Sequence, residues 1–225
     1  MTVILNPAAE PLDPALRAKL ERVSFPTLGH YLEEGFAEPA LQRQVGQARV
    51  VGRAVTVRTL ATDSTLLHHA VSDLEPGDVL VVDTGGDRRH APVGLVVAAA
   101  AAHAGATGII VDGVITDADE VSALGIPVFA YGRSALTTKL QGLDGGGVNV
   151  PVIAGGVTVN PGDVVLADAN GVFVASPSVV SAIIDIALED DAEEPELIAA
   201  IRAGARLGDE TGATETALAL AAQSS

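Results

Sequence analysis

Residues Gly85 to Asp117 read GGDRRHAPVGLVVAAAAAHAGATGIIVDGVITD. A glycine-rich loop opens the stretch, an alanine-rich helix follows, and an apolar strand ends it in a cluster of carboxylates. Gly85, Gly86 and Gly94 tolerate backbone angles that other residues resist and allow an anion to approach main-chain N–H groups. Asp112, Asp117, Asp119 and Glu120 bring hard oxygen ligands to the far end of the same unit. Loop donors and carboxylates within one strand–helix–strand unit point to a small-molecule site in an α/β protein.

Outward from that stretch, the composition narrows the function classes. The chain has 225 residues, of which 48% are hydrophobic and only 3% aromatic, so one domain, or one large domain with appendages, with a core of Val, Ala, Leu and Ile is expected. The formal net charge of −16 argues against nucleic acid and anionic membrane as partners. An anionic ligand must therefore be held by a local device: a loop, an arginine or a metal. There are no cysteines, which excludes disulfides, thiolate zinc sites and cysteine nucleophiles and fits a cytoplasmic protein. No secretory leader is evident, and the apolar run 93–106 is too short to span a bilayer.

Periodicity and punctuation give the elements. Helices are expected over 13–22, with Asp13 as N-cap, then over 25–28, 64–71 and 95–104, and in a short turn closed by 121–124. Strands, or a hairpin, are expected over 49–60, with further strands at 79–82, 107–111 and 127–131. From 145 the chain turns rich in Gly and Val, with strands at 148–153, 158–159, 164–167 and 172–174. Two helices follow, 178–189 and 195–205, and the tail from 209 reads as frayed. The core is placed at 23–175, with C-terminal helices over 178–206. Glu75-Pro76-Gly77-Asp78-Val79 recurs as Asn160-Pro161-Gly162-Asp163-Val164, two similar tight turns that each feed an apolar strand.

Several side chains qualify for chemistry, each with a plainer alternative. The N–H groups at Gly94, Leu95 and Val96 can hold a carboxylate, or the glycines can simply serve a strand-to-helix connection. Arg88, Arg89 and His90 form a basic tip that can bind a carboxylate or merely be solvated. Asp112 and Asp117 flank a glycine turn and can ligate Mg²⁺, while Asp117 can equally cap the helix beginning at Ala118. His68 and His69 are adjacent on a helix and face different directions, so one packed and one exposed histidine is expected rather than a ligand pair.

These motifs, Pro76-Gly77-Asp78 through Asp83, Gly85-Gly86, Gly94, Gly105, Gly108, Val111-Asp112-Gly113, Thr116-Asp117 and Pro127 through Ala130, resemble the RraA-like family. That family includes the regulator of ribonuclease E activity A and the class II 4-hydroxy-4-methyl-2-oxoglutarate aldolases. Some members carry a demethylmenaquinone methyltransferase label. The resemblance implies a single α/β/β domain of the swivelling, phosphohistidine-like type with flanking N- and C-terminal helices. It also implies assembly as a homotrimer or hexamer with sites between subunits. It further implies Mg²⁺ or Mn²⁺ and a 2-oxo acid substrate, with the metal stabilising a pyruvate enolate. The aldolase signature is an acid, twenty intervening residues, then Arg-Asp. Leu95 stands at the acidic position, Thr116 at the arginine, and only Asp117 matches. A glutamate from the C-terminal region of a neighbouring subunit supports the metal in the aldolases, and Glu193 or Glu194 is its counterpart here. Three readings follow. One is an altered metal-dependent lyase in which Arg88, Arg89 or His90 replaces the missing cation. Another is a non-catalytic ring that binds and regulates a protein partner, and the third is an enzyme of the same fold with another substrate.

Overall fold

The structure is a computed structural model, and it describes residues 2–60 and 62–223. In chain order the elements are β1 (Ile4–Leu5), α1 (Pro14–Leu20), α2 (Phe25–Leu28), β2 (Gln42–Val45), β3 (Val50–Arg58), α3 (Thr65–Val71), β4 (Asp78–Asp83), α4 (Leu95–His103), β5 (Gly108–Asp112), β6 (Val114–Ile115) and α5 (Ala118–Leu124). There follow β7 (Val128–Ala130), β8 (Gly132–Arg133), β9 (Gly147–Val148), β10 (Val152–Ala154), β11 (Val157–Val159), β12 (Val164–Asp168), β13 (Gly171–Ala175), α6 (Pro177–Arg202), α7 (Leu207–Glu210) and α8 (Ala213–Gln223).

The fold is α/β, built on a parallel core of β3, β4, β5 and β7, with α3, α4 and α5 as the crossovers. Consecutive right-handed crossovers in one direction put their helices on one face of the sheet. The strand side chains divide accordingly with period two. Val55, Val57, Leu80, Val82, Ile109 and Val111 pack beneath Leu67, Ala70, Val97, Ala101 and Val121 of the helices. Their neighbours Ala54, Val79, Val81, Ile110 and Phe129 face the opposite way, onto Val152, Ala154, Val159, Val165 and Val174. The second β layer comes from the Gly/Val-rich segment after residue 145. The layering is therefore helix, sheet, sheet, as expected. A third cluster joins α1, α2 and α6 to β12 and β13 through Leu20, Leu28, Leu166, Phe173 and Ile184.

Segment 49–60 is one strand rather than a hairpin. β3 is long because it serves three neighbours. One edge pairs with β4, and the other is shared by β12 at its start and β9 at its end. The two Pro-Gly turns flank it. In each, the glycine has a positive φ, 95° at Gly77 and 89° at Gly162, as the third residue of a type II turn requires. In each, the aspartate turns back onto the first N–H, Glu75 N to Asp78 Oδ2 at 2.8 Å and Asn160 N to Asp163 Oδ2 at 2.7 Å. Asp78 also receives the buried Arg53 guanidinium in a two-point bond of 2.8 and 3.0 Å.

Two expectations at the C-terminus are corrected. Helices 178–189 and 195–205 are one helix, α6, with Pro195 inside it. The flanking Glu193, Glu194, Glu196, Leu197 and Ala199 are strong helix formers, and they carry the chain past a single lost hydrogen bond. The tail is helical as α8 as far as Gln223; its last two residues lie outside the described residues. Among the described residues no helix is long and apolar enough to cross a membrane.

Candidate functional site

The carboxyl ends of β4 and β5 point the chain into the loops that build the site, as is usual in open α/β sheets. After β4 the loop runs over Gly85 and Gly86, both at positive φ (66° and 83°). It is not slack beyond that point. Ala91 bridges to Thr137 and Val93 bridges to Ile115, so 91–93 is gripped between two segments. Thr116 N–H donates to Val93 O at 2.9 Å and Thr138 N–H to Ala91 O at 3.2 Å. This grip delivers Gly94 and the start of α4 against Thr116 and Asp117.

Gly94 is needed for space rather than for its backbone angle. Its φ of −135° is extended. A Cβ there would lie 2.5 Å from Asp117 Oδ2 and 2.7 Å from Thr116 Cγ2. That closeness lets Leu95 N–H donate to Asp117 Oδ2 at 2.9 Å. Asp117 itself sits in the left-handed region, φ 52° and ψ 40°, and makes no capping bond to α5. Of the two readings of Asp117, the cap on the helix at Ala118 is not met: the carboxylate serves the N-terminus of α4. Among the described residues the other oxygen accepts only from Thr116 Oγ1, at 3.3 Å. The first intrahelical bond of α4 runs from Ala98 N to Gly94 O. The N–H groups of Val96 and Val97 thus have no partner among the described residues and lie at the positive end of the helix.

A cavity of about 200 Å³ opens onto these groups, lined among others by Gly94, Leu95, Val96, Thr116 and Asp117. Ser64, His68, Thr137 and Thr138 also line it. His68 carried no functional reading in the sequence because the residues that share its cavity come from α4 and from residues 91–138. Both histidines are exposed, rather than one packed and one free. His69 is directed elsewhere, 3.9 Å from Asp73.

The remaining candidates lie outside this cavity in the single chain. Asp112 is a strut: its Oδ1 accepts from Gly155 N at 2.9 Å and its carbonyl from Thr84 Oγ1 at 2.7 Å. Arg88 lies 3.4 Å above the Tyr131 ring and bonds Glu38 at 3.2 Å, while Tyr131 also donates to Glu38. His90 Nδ1 pairs with Asp87 Oδ2 at 2.9 Å. Burial pushes the Asp87 carboxyl up, but the N–H groups of His90 and Arg89 and the His90 ring outweigh it and hold the group at about 2. Arg89 is exposed, and Glu193 and Glu194 lie exposed on α6. Among the described residues no three His, Asp or Glu side chains are grouped to hold a metal.

A family model described as RraA-like, Aldolase/RraA, matches residues 28–174. The chain belongs to the RraA-like family. The matched segment contains every residue of the cavity and omits α1 and α6–α8. Among its relatives in the family, a Halalkalibacterium halodurans protein provisionally named 4-hydroxy-4-methyl-2-oxoglutarate aldolase is 39% identical over 126 residues, 56% of this chain. The match spans only 59% of that relative's length. Streptomyces coelicolor RraAS2, described as an unusual member of the RNase ES inhibitor RraA family, is similar in structure. Its TM-score is 0.71 and its identity 31%, covering 85% of this chain and 98% of that one. A Geobacillus kaustophilus structure named as an S-adenosylmethionine:2-dimethylmenaquinone methyltransferase is also similar. Its TM-score is 0.59 and its identity 36%, over 65% and 89% of the two chains.

Proposed function

We propose that this chain binds a small 2-oxo acid in the α4 cavity and cleaves a carbon–carbon bond beside its 2-oxo group. The observation that carries this is the Asp117 carboxylate fixed on the first N–H of α4 with the next two N–H groups open beside it. The relatives' names support the same substrate class. Open N–H groups at a helix N-terminus favour an anion and stabilise charge that develops on a nearby oxygen.

The donor set fits a divalent ion of the Mg²⁺ or Mn²⁺ kind held by one carboxylate and otherwise by water and substrate oxygens. Asp117 Oδ1 would hold it, and its contribution when bound would be positive charge beside the 2-oxo oxygen. A glutamate such as Glu194 of a neighbouring copy in a homotrimer or hexamer remains part of this reading.

The side chains at the signature positions then choose between reactions. Aldol cleavage of a 4-hydroxy acid requires removal of the hydroxyl proton, and Leu95 offers no base there. Decarboxylation of an oxaloacetate-like acid needs no base. The C3–C4 bond breaks, C4 leaves as CO₂, and its electron pair becomes an enolate that takes a solvent proton at C3. The chain need only hold the substrate and stabilise the enolate oxygen, which the α4 N–H groups are placed to do. Decarboxylation is therefore the reaction we assign. A regulatory ring that binds a protein partner is the second reading, favoured by the loss of ionic side chains at Leu95 and Thr116.

The test is pyruvate release from oxaloacetate and from 4-hydroxy-4-methyl-2-oxoglutarate, with Mg²⁺, with Mn²⁺ and with EDTA, against protein-free controls. The native chain is expected to decarboxylate oxaloacetate above the control and to cleave the hydroxy acid poorly. Leu95→Asp/Thr116→Arg is expected to raise hydroxy-acid cleavage by about 10²-fold. No protein-dependent release from either substrate by the native chain would leave the regulatory reading standing.

A further inference from the structure

The cavity at α4 faces an imidazole. His68 lies on α3, and its N–H donates to Ser64 O at 3.0 Å, so the two residues share the helix face that walls the cavity. Of the side chains lining the cavity, His68 alone carries nitrogen and Asp117 alone a carboxylate. Asp117 is committed to α4. The Ser64 hydroxyl is turned to Lys139 O at 3.5 Å, and Thr138 N–H to Ala91 O. The His68 ring has no hydrogen-bond partner among the described residues, and its imidazole is exposed. Of the basic residues in the loop, Arg88 is engaged on Glu38 and Tyr131 and His90 on Asp87, and exposed Arg89 does not line the cavity.

A carboxylate entering a protein of net charge −16 needs donors that face it directly. Thr116 supplies no charge. Val96 and Val97 at the start of α4 and His68 of α3 line the same cavity. We propose that His68 is a specificity-determining residue of this site: it donates to the carboxylate of the bound 2-oxo acid while the α4 N–H groups hold the 2-oxo side. The site thereby selects an ionised acid over a neutral analogue of the same shape. This rests on the small-acid reading above, and it explains how that reading survives without an arginine at Thr116.

The test is calorimetric titration of the full-length chain, with Mg²⁺ present, using pyruvate, oxalate and the neutral methyl pyruvate as probes. The native chain is expected to bind pyruvate and oxalate. His68→Ala should weaken both by about tenfold or more, as loss of a charge-assisted hydrogen bond does, and leave methyl pyruvate unchanged. His68→Lys should restore most of the lost affinity. The thermal midpoint of His68→Ala should match the native value, because the ring is exposed and unpartnered. Equal pyruvate affinity in native and His68→Ala would overturn the assignment of His68 and leave the small-acid reading intact. Parallel loss of pyruvate and methyl pyruvate would reduce His68 to a structural role and overturn it too. Absence of binding by any probe to the native chain would sink both the small-acid reading and this inference.

Discussion

Gly94 constrains the site sterically, because it determines where a carboxylate can sit. The Asp117 oxygen occupies the space that a side chain at position 94 would need. Gly94→Ala therefore forces either the carboxylate off Leu95 N–H or α4 away from residues 116–117. Overpacking of this kind costs about 1–3 kcal/mol. The expected outcome is a urea midpoint lowered accordingly and loss of pyruvate binding in the same variant. A stable Gly94→Ala chain that still binds pyruvate would show that the contact between Asp117 and α4 is dispensable. The glycine itself was legible in sequence as a close-approach position, but its reason was not. Gly85 and Gly86 are glycines for their positive φ, and Gly94 for a neighbour that folding brings from beyond the next strand. The role of Asp117 was hidden in the same way. An aspartate before a helix reads as that helix's cap, yet its left-handed backbone turns the side chain to another helix.

At the scale of elements, α3 and the segment after β8 are held as one wall by Asp63. Its buried carboxylate accepts from Thr65 N (3.0 Å), Thr65 Oγ1 (2.6 Å), Gln141 N (3.0 Å) and Leu143 N (2.8 Å). Burial pushes this carboxyl up, but those hydrogen bonds outweigh it and bring it from 3.8 down to about 2. A depressed folded-state value stabilises the fold above the unfolded value and loses that contribution as pH falls through the folded one. The acid limb of the stability curve should therefore steepen between about pH 4 and about pH 2. Asp63→Asn should flatten that limb and cost about 1–3 kcal/mol at neutral pH by leaving backbone donors poorly paired. Thermal midpoints of both chains from pH 2 to pH 6 check it; identical pH profiles would remove Asp63 from the account. His68 and Thr138 sit on the wall that Asp63 ties together, so the variant should also weaken pyruvate binding. The central strands were readable from their unbroken Val/Ile runs, whose alternation serves two covered faces. The 91–93 grip and the Asp63 tie were not, because their partners lie dozens of residues away and no local period marks them.

For the whole molecule, the unresolved physical problem is the C-terminal arm. The first half of α6 is anchored. Val180, Ile184 and Ala187 are buried, Lys19 reaches Asp185, and Asp191 accepts from Ser24 N and Thr27 Oγ1. Beyond Asp191 no residue of the described arm is buried, yet it presents Ile198, Ile201, Leu207 and Leu218 at 43, 38, 55 and 67% exposure. Apolar side chains along helices favour burial against another surface. The homotrimer or hexamer implied by the family resemblance would supply one, with the arm of one copy laid on the next. A chain of 22.7 kDa should then run in light scattering at three or six times that mass. Truncation after Asp191 should lower the mass toward the monomer while leaving the α/β/β core folded, since none of the three core clusters uses a residue beyond Leu188. A truncated chain that keeps the full mass would move the interface to the core. A monomeric native chain would remove both the ring and the neighbouring glutamate from the proposed site. It would leave Asp117, the open N–H groups of α4 and His68 as the whole of the binding machinery.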